Sequence, residues 1–336
     1  MKKCGMCLAI VLKRLKAILF LTLMLTVAAP VHAQTKWKAG ILQAKGDAGF
    51  TWMAQQQGYF KERGLEVEFM EFRGDKDIMR AMLAGEVDSA DMNPGPALGA
   101  IDRGATNLRF IGSPMPGLPY ALYVGKDITS WSQLKDKTFG VSAPGSQPEI
   151  VAREMLIRKG VNADSMKIVN AGGSGSRIKA LVAGKIDATA SSSEYIPDAE
   201  RLGIRVMALT ADLLPEYPHH VLVMREETLK AKREATINFL AAYMEGLDYS
   251  VKHRDETLKL SGKINEKPAT DPQLVYIYDE LIAKKYVAVK LDIPRAKIEW
   301  LQNQLLKVDV VRKKIDLDKF IDDSYREEAL KRAKLR

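Results

Sequence analysis

The chain has 336 residues, of which 46% are hydrophobic and 28% are charged. This length and composition exclude a wholly disordered chain and are sufficient for two modest domains, each with its own hydrophobic core. The formal net charge of +9 is unevenly distributed, because the first 33 residues hold five basic and no acidic side chains. The rest of the chain carries a net charge of only +4, which does not favour nucleic-acid binding.

Residues 1–33 have the pattern of an export signal. The basic side chains come first, an apolar run follows at residues 17–29, and the small residues Val31 and Ala33 occupy the positions expected before a cleavage site. The alternative is a membrane anchor, but the apolar run is shorter than the ~20 residues that span a bilayer. We therefore predict cleavage after Ala33 and a periplasmic protein.

Both cysteines, Cys4 and Cys7, lie within this segment, so the chain beyond it contains none. That part of the chain therefore cannot form a disulfide, a thiolate nucleophile or a cysteine-ligated zinc site. A lipoprotein anchor requires a cysteine directly after the apolar run, and neither cysteine stands there. We expect a protein that is free in the periplasm.

Strands and helices alternate after residue 34. Short apolar or alternating segments predict strands, and amphipathic stretches that end at glycine predict helices. The predicted elements, in chain order, are a strand at 38–42, a helix ending near Gly58, a strand from Leu65, a helix at 76–83, a strand at 87–92, a helix to Gly104 and a strand at 108–112. This order predicts an α/β fold with a parallel sheet covered by helices.

The same order returns about 100 residues later. Residues 81–90 (AMLAGEVDSA) match residues 180–189 (ALVAGKIDAT) at an offset of 99, and Gly104 matches Gly203 at the same offset. Any two strand–helix units have some likeness, but a constant offset favours a duplication. We therefore predict two similar α/β lobes.

Two residue types recur at the junctions of this repeat. Gly85 and Gly184 each end a helix directly before a strand, where the left-handed backbone conformation favours glycine. Asp88 and Asp187 follow three residues later. We interpret both aspartates as structural residues whose carboxylates accept hydrogen bonds from nearby backbone N–H groups.

Two proline-rich segments separate the lobes. Residues 113–119 (SPMPGLP) and 213–218 (LLPEYP) exclude a helix or a central strand. Two such segments mean that the chain crosses into the second lobe and returns. The predicted domains are a signal at 1–33, a discontinuous first lobe at 34–116 plus 222–336, and a second lobe at 117–221.

The region beyond residue 225 is predicted to be mainly helical. Asp271 and Pro272 have the pattern of an N-cap followed by proline at the first helical position. Apolar residues at helical spacing form three faces: Ile237, Leu240, Ala241, Met244, Leu247 and Val251; Leu274, Ile277, Tyr278, Leu281 and Ile282; and Ile298, Leu301 and Leu305. Because such faces need an apolar surface to cover, we expect this region to pack on the first lobe.

Ligands of α/β sheets bind beyond the carboxyl ends of the strands, where loops lead into helix N-termini. The corresponding loops are rich in Gly, Ser, Asn and Gln, which let a ligand approach the backbone. They lie at residues 43–52, 93–96, 142–147, 172–177 and 191–195. These loops carry both positive charge, from Lys45 and Arg177, and negative charge, from Asp47, Asp91 and Glu194, so the sequence leaves the sign of the ligand's charge open.

Several of these loop residues have a structural alternative. Asn93 is interpreted either as a ligand contact or only as an N-cap before Pro94. The glycine-serine segment at 172–176 is either a binding loop or a flexible turn, and it lacks the Gly-Lys-Ser/Thr of a phosphate-binding loop. Phe50 and Trp52 are either core residues or an aromatic wall for a ligand.

Catalytic motifs are sparse in the sequence. His219 and His220 are expected to point to opposite faces of a strand at 219–224, which makes a poor metal site. Neither H-E-x-x-H nor G-x-S-x-G occurs. We predict no metal, no cofactor and no enzymatic activity.

Five segments of the chain together have a family likeness. They are KAGILQ at 38–43, GYFKERGLEV at 58–67, LAGEVD at 83–88, FGV at 139–141 and LVAGKIDA at 181–188. On these segments the chain resembles the solute-binding proteins of ABC importers of the nitrate/sulfonate/taurine type, a group that also includes pyrimidine-precursor binders. The resemblance extends over nearly the whole chain after residue 33.

The resemblance implies a two-lobe periplasmic-binding-protein type II fold with two crossovers. It further implies a monomer that closes on a small polar or anionic solute (sulfonate-, taurine-, nitrate- or pyrimidine-like) and delivers it to a membrane permease with an ATPase, without nucleic acid. Carried over by position, the ligand-binding residues are Gln43, Lys45, Asn93, Ser142, Ser146, Ser174, Ser192 and Glu194.

Two other functions stay open at this point. The chain is alternatively a periplasmic subunit that presents a ligand to a membrane receptor, or a lyase or hydratase on the same fold. In the last case Glu194 is the residue whose change to Gln would abolish turnover.

Overall fold

The computed structural model describes residues 34–335. The predicted export signal at 1–33, with Cys4, Cys7 and the cleavage position after Ala33, lies outside the described residues. Within residues 34–335, no helix has both the length and the apolar character needed to cross a membrane.

Ten strands form two five-stranded sheets. The strands are β1 (Thr35–Leu42), β2 (Leu65–Phe72), β3 (Ser89–Met92), β4 (Leu108–Gly112), β5 (Tyr120–Gly125), β6 (Thr138–Val141), β7 (Lys167–Asn170), β8 (Ala188–Ser192), β9 (Ile204–Leu209) and β10 (Val221–Arg225). The first sheet has the order β2-β1-β3-β10-β4, and the second has the order β7-β6-β8-β5-β9.

Thirteen α-helices connect or follow these strands in the described part of the chain. They are α1 (Ala48–Gln56), α2 (Tyr59–Glu62), α3 (Asp75–Ala84), α4 (Pro94–Asp102), α5 (Gln147–Arg158), α6 (Ser174–Val182), α7 (Thr210–Leu213), α8 (Glu226–Ala231), α9 (Arg233–Lys252), α10 (Arg254–Asn265), α11 (Pro272–Ala283), α12 (Arg295–Lys307) and α13 (Ser324–Arg332). The segments 131–134, 163–165, 193–198 and 317–319 form 3₁₀ turns.

The two sheets repeat one topology. Strands β6–β9 take the places in the second sheet that β1–β4 take in the first, and β5 corresponds to β10. The duplication inferred from the 99-residue offset is therefore confirmed. The two-lobe α/β architecture with two crossovers is confirmed as well.

The four strands predicted before the first crossover run parallel to one another, as expected, but one antiparallel strand makes each sheet mixed. Strand β10 runs antiparallel to β3 and β4, and β5 runs antiparallel to β8 and β9. Each of these strands is the first after a crossover, and each begins opposite a carboxyl end: Tyr120 pairs with Ser192, and Val221 pairs with Met92. A chain that enters at that edge has to run against the parallel strands.

The crossovers at 113–119 and 214–220 contain no helix or strand and are hydrogen-bonded to each other. The backbone N–H of His220 donates to Met115 O at 2.9 Å, and Ser113 Oγ donates to His220 O at 2.5 Å. Because both crossovers leave from the carboxyl edges, these edges of the two sheets face each other. The exact lobe boundaries (34–116 plus 222–336, and 117–221) stay a prediction, and β10 begins at Val221.

The junction residues of the repeat behave as expected. Gly85 and Gly184 have φ values of 79° and 65°, in the left-handed region. The Asp88 carboxylate accepts from the N–H of Lys38 at 2.9 Å, and that of Asp187 accepts from the N–H of Thr138 at 2.8 Å. Each aspartate therefore ties the start of its strand to the neighbouring strand rather than closing a local turn.

The C-terminal helices cover the first sheet, as the apolar faces predicted. Trp37 of β1 stacks on Phe239 of α9, with ring centroids 4.8 Å apart, and both rings are buried. The predicted N-cap is also present, because the Asp271 carboxylate accepts from the N–H of Gln273 at 2.9 Å. Helix α9 packs against α1 at Gly246, where an added Cβ would lie 2.6 Å from Ala54 N.

We expect Gly246→Ala to destabilise the protein by about 1 to 3 kcal/mol. The added methyl group would overlap Ala54, and this cost exceeds the gain in helix propensity of about 1 kcal/mol. Urea denaturation followed by circular dichroism measures the difference. Gly125→Ala, where an added Cβ has its nearest neighbour at 4.0 Å, is the matched control; equal stability of both variants and wild type would contradict the close packing.

Candidate functional site

The loops that follow β1 and β8 meet between the two sheets. The backbone N–H of Gly46, in the first loop, donates a hydrogen bond of 2.8 Å to Glu194 Oε2, in the second. Glu194 lies in the 3₁₀ turn directly after β8 and is only 4% exposed. This contact joins the carboxyl edges of the two sheets, so the cleft between them is closed here.

Glu194 is a buried carboxyl in a charged surrounding. Burial raises its pKa above the ordinary 4.5, and the nearby Asp47 raises it further. The Lys45 ammonium, the Gly46 N–H and the Tyr195 hydroxyl act in the opposite direction without cancelling the rise. The closed cleft therefore holds an acidic group that resists ionisation.

Lys45 is the cation at the centre of this surrounding, and its side chain is half-buried. Burial lowers its pKa, but Asp47, and then Tyr120, Glu194 and Asp75, raise it by more, so the net pKa lies above the ordinary 10.5. The ammonium is therefore charged at any physiological pH. Its neighbours come from both lobes.

Asp75 connects this group of charges to the start of α3. Its Oδ1 accepts from the N–H of Asn93 at 2.9 Å. Burial raises the pKa of Asp75 above 3.8, against the effect of the Asn93 N–H, His220 and Lys45. Asp75 is therefore one of the acidic groups that raise the pKa of Lys45.

A small cavity of about 20 Å³ opens beside Lys45, which is room for one water-sized group. Its wall combines charged, aromatic and apolar side chains. The lining residues are Ile41, Leu42, Gln43, Ala44, Lys45, Asp47, Ala48, Thr51, Trp52, Asp91, Pro114, Met115, His220 and Tyr243.

The two aromatic candidates of this loop have different roles. Phe50 is a core residue, which is buried and stacks on Tyr278 with ring centroids 5.3 Å apart. Trp52 lines the cavity and lies against Phe69, with centroids 5.1 Å apart. The structure therefore separates the two interpretations, with the core for Phe50 and the cavity wall for Trp52.

Asp91 and His220 form the polar end of the cavity. Tyr243 donates its hydroxyl to Asp91 Oδ2 at 3.0 Å, and His220 Nδ1 lies 3.0 Å from Asp91 Oδ1. The latter contact is an ion pair only when the His220 ring is protonated. Within residues 34–335, Asp91 Oδ1 and His220 Nε2 are buried and form no hydrogen bond.

The expectation that His219 and His220 point to opposite faces of a strand was wrong. Their rings lie side by side, with centroids 3.8 Å apart and planes tilted by 37°, because both residues precede β10 and lie in the second crossover. Burial lowers the pKa of His219 well below 6.5, and His220 and Lys45 add to this effect, so its ring is neutral. Over residues 34–335, no three His, Cys, Asp or Glu side chains are grouped as a metal site would require.

Three of the predicted ligand residues, Gln43, Lys45 and Glu194, come together at the closed edge of the cleft. Asn93 is next to them, but its side chain has structural partners. Its Oδ1 accepts from the N–H of Gly95 at 2.9 Å, and its Nδ2 donates to the carbonyls of Pro218 and His219 at 3.1 and 3.3 Å. The N-cap interpretation therefore holds, and Asn93 also fixes the second crossover.

The four predicted serines are spread over the second lobe. Ser142 and Ser146 are half-buried in the loop after β6, where Ser146 Oγ accepts from the N–H of Ala143 at 3.3 Å. Ser192 is buried at the end of β8, two residues before Glu194 in the chain. Ser174 Oγ lies 3.2 Å from Nη2 of Arg177.

Arg177 engages the Ser174 side chain within the second lobe. This guanidinium is 2% exposed and donates to Thr189 Oγ1, Gly172 O, Ser174 Oγ and Ala190 O. It therefore ties the loop at 172–177 to its own sheet. The positive charge assigned to this loop is used within the second lobe.

Sequence reasoning missed Tyr243 and His220 as cavity residues. Tyr243 comes from α9, about 150 residues after Asp91, and no local motif connects the two. Asp47 and Asp91 had been noted only as charges in loops. The signal that was available is their position directly after predicted strands, at the edge where ligands bind.

We expect the stability difference between Glu194→Gln and wild type to shift in favour of the variant as the pH rises. Folding raises the pKa of Glu194 above 4.5. Ionisation of this carboxyl therefore costs the wild-type protein no stability at pH 4, but the folded state becomes less stable as the pH rises through the raised pKa. The Gln side chain does not titrate. Urea denaturation at pH 4 and pH 8 measures this difference. Glu200→Gln, at an exposed position, controls for the loss of one carboxyl; a shift in favour of wild type would contradict the burial of Glu194.

Two solved structures share this fold. The periplasmic aliphatic sulphonate binding protein SsuA from Escherichia coli has a TM-score of 0.68 at 17% identity, over 86% of this chain and 92% of that one. The periplasmic nitrate-binding protein NrtA from Synechocystis PCC 6803 has a TM-score of 0.72 at 14% identity, over 90% of each chain. The predicted periplasmic-binding-protein fold is therefore confirmed.

The chain also has a relative in sequence, at a similarly low identity. YtlA of Bacillus subtilis (strain 168), which is named as a binding protein, is 22% identical over 287 residues, 79% of this chain and 81% of YtlA. The family described as NMT1/THI5 like matches residues 47–257, which include both crossovers and most of both sheets. The resemblance drawn from the five sequence segments is thus confirmed, and the chain belongs to the NMT1/THI5-like family.

Proposed function

We propose that the chain is the solute-binding component of an ABC importer, which captures a small polar solute by closing its two lobes. The observation that carries this proposal is the hydrogen bond from the Gly46 N–H to Glu194, because it joins the loops of two separate sheets across the cleft. A contact of this kind forms only when the lobes are together. Ligand capture by hinge closure requires such a contact.

The crossovers support the same mechanism. They lack regular structure, and buried side chains such as Leu118 and Tyr217 connect the apolar cores of the two lobes. A hinge of this kind absorbs a change in lobe orientation in few residues while the sheets stay rigid. Binding without chemical turnover is sufficient for this function.

The named relatives support this type of function without deciding the solute. SsuA and NrtA are named as sulphonate-binding and nitrate-binding, and YtlA as a binding protein. By analogy, we propose that this chain is exported to the periplasm by the signal at 1–33. There it would act as a monomer and deliver its solute to a membrane permease with an ATPase.

We propose that the solute contacts include the eight residues expected from the sequence. Gln43, Lys45 and Glu194 would contact the solute with their side chains at the closed edge of the cleft. The four serines would contribute hydroxyl or backbone groups, and Asn93 would contribute backbone groups. The cavity wall adds Trp52 and Tyr243. These side chains would surround the solute from both lobes once the cleft closes.

The proposed function is tested by identifying the solute and by measuring closure. Mass spectrometry of the material released on denaturing purified protein gives the solute. Isothermal titration then gives its affinity for the stripped protein, and small-angle scattering gives the radius of gyration with and without it. We expect one solute per chain and a smaller radius of gyration on binding; a bound solute that leaves the radius unchanged, or is converted to a product, would overturn the proposal.

Glu194→Ala is expected to weaken binding by about tenfold or more. It removes the acceptor of the Gly46 N–H, and a buried donor left without a partner costs about 1 to 3 kcal/mol. Isothermal titration with the identified solute measures the effect. Glu200→Ala, on the exposed surface of the same lobe, should bind as wild type does; equal affinities for all three proteins would exclude a role for the contact in closure.

A further inference from the structure

Helix α11 is held on the first lobe by one of its faces. Leu274, Tyr278 and Leu281 recur at helical spacing and are buried in the apolar core of that lobe. The Tyr278 ring stacks on Phe50 of α1, with ring centroids 5.3 Å apart. The helix is therefore part of the first lobe.

A neighbouring face of α11 contacts the second lobe. Gln273 and Glu280 are two turns apart on one side of the helix, and both reach the 3₁₀ turn at 193–198. Gln273 Nε2 donates a hydrogen bond of 2.5 Å to Asp198 Oδ2. Glu280 Oε2 is in hydrogen-bond contact with Ser193 Oγ. These two side-chain pairs therefore join the two lobes.

The same face of α11 covers the contact that closes the cleft. An added Cβ at Gly46 would lie 2.8 Å from Ile277 Cγ2 and 2.9 Å from Glu194 Oε2. Ile277 stands between Gln273 and Glu280 in the helix. The contacts of α11 with the second lobe are therefore part of the closed cleft, together with the hydrogen bond from Gly46 to Glu194.

The contact at Ser193 depends on a proton. Ser193 is fully buried, and its Oγ has Pro119 O at 2.9 Å and Glu280 Oε2 as neighbours. A hydroxyl has one proton to donate, and neither a backbone carbonyl nor an ionised carboxylate has any. Both contacts are hydrogen bonds only when the Glu280 carboxyl is protonated, because the carboxyl then donates to Ser193 Oγ while the hydroxyl donates to Pro119 O.

The surroundings of Glu280 favour the protonated carboxyl. The residue is 9% exposed, and within residues 34–335 its carboxylate forms no ion pair. Burial raises its pKa above the ordinary 4.5, the Ser193 hydroxyl and Lys284 of α11's C-terminal end oppose this rise without cancelling it, and Asp212 of α7 adds to it. The other titratable groups that interact with Glu280 are tyrosines, which stay neutral because their own pKa values are raised: Tyr123, Tyr276 and Tyr286.

We propose that Glu280 is a proton-dependent latch: its protonated carboxyl holds Ser193 of the second lobe while the cleft is closed, and its ionisation favours opening. The proposal rests on the proposed function, because it requires that the lobes separate. Opening exposes the carboxyl to water and returns its pKa towards the ordinary value, so closure takes up a proton. The closed form is therefore most populated at low pH and loses population as the pH rises through the raised pKa of Glu280.

The test measures the distance between the lobes at two pH values. The chain after residue 33 contains no cysteine, so Arg73→Cys and Ser176→Cys, at exposed positions after β2 and in α6, attach one nitroxide label to each lobe of the mature chain. Double electron–electron resonance without added solute then gives the ratio of closed to open molecules. We expect this ratio to be about threefold larger at pH 5 than at pH 8, as for a population shift linked to one proton. An equal or larger ratio at pH 8 would overturn the latch.

Glu280→Gln separates the latch from other titrating groups. The Gln side chain has nearly the shape of the protonated carboxyl, and its amide can donate to Ser193 Oγ at every pH. We expect the closed-to-open ratio of this variant to equal that of wild type at pH 5 and to be about threefold higher at pH 8. Ser193→Ala, which removes the acceptor, should lower the ratio at pH 5. Glu200→Gln, at an exposed position of the second lobe, should follow wild type at both pH values.

The latch and the proposed function fail in different ways. If Glu280→Gln has the wild-type ratio at both pH values, with normal circular dichroism, the latch is overturned. The proposed function then stands if the solute identified by mass spectrometry shortens the distance between the labels. A distance that changes neither with pH nor with that solute overturns both.

Discussion

The direction in which the chain enters each sheet after a crossover is the constraint on which the rest of the structure depends. Strands β5 and β10 begin opposite the carboxyl ends of their parallel neighbours, at the pairs Tyr120–Ser192 and Val221–Met92. The carboxyl edges of both sheets are therefore held next to the same pair of crossovers. Loops that would be remote in two separate domains come within hydrogen-bond distance, as the Gly46 N–H and Glu194 do.

Closing these edges encloses charge. Glu194 and Asp75 have raised pKa values because they are buried, while Lys45 keeps its charge because acidic groups surround it. A buried charge is costly unless it is paired, so the closed cleft has a built-in electrostatic cost that a complementary solute can reduce.

Part of the candidate site followed from the sequence, and part did not. The rule that ligands bind beyond strand carboxyl ends led to the loops at 43–52 and 191–195. The family resemblance implied Gln43, Lys45 and Glu194 within them, and the structure brings these three residues together. The rule does not say which loop side chains are already engaged, and Asn93 and Ser174 have partners within their own lobe. No local pattern reveals Tyr243, because its hydrogen bond to Asp91 joins residues 152 positions apart.

The sequence by itself determined the repeat and its local elements. The 99-residue offset, the helix-ending glycines and the apolar faces after residue 225 depend on local backbone preferences and on periodicity, and both are legible in the order of residues. Only the tertiary structure decided that the sheets are mixed, that the rings of His219 and His220 lie against each other, and that the Gly46 N–H meets Glu194 across the cleft. These properties arise from contacts between distant segments, and such contacts are set by how the two lobes fold against each other rather than by neighbours in the chain.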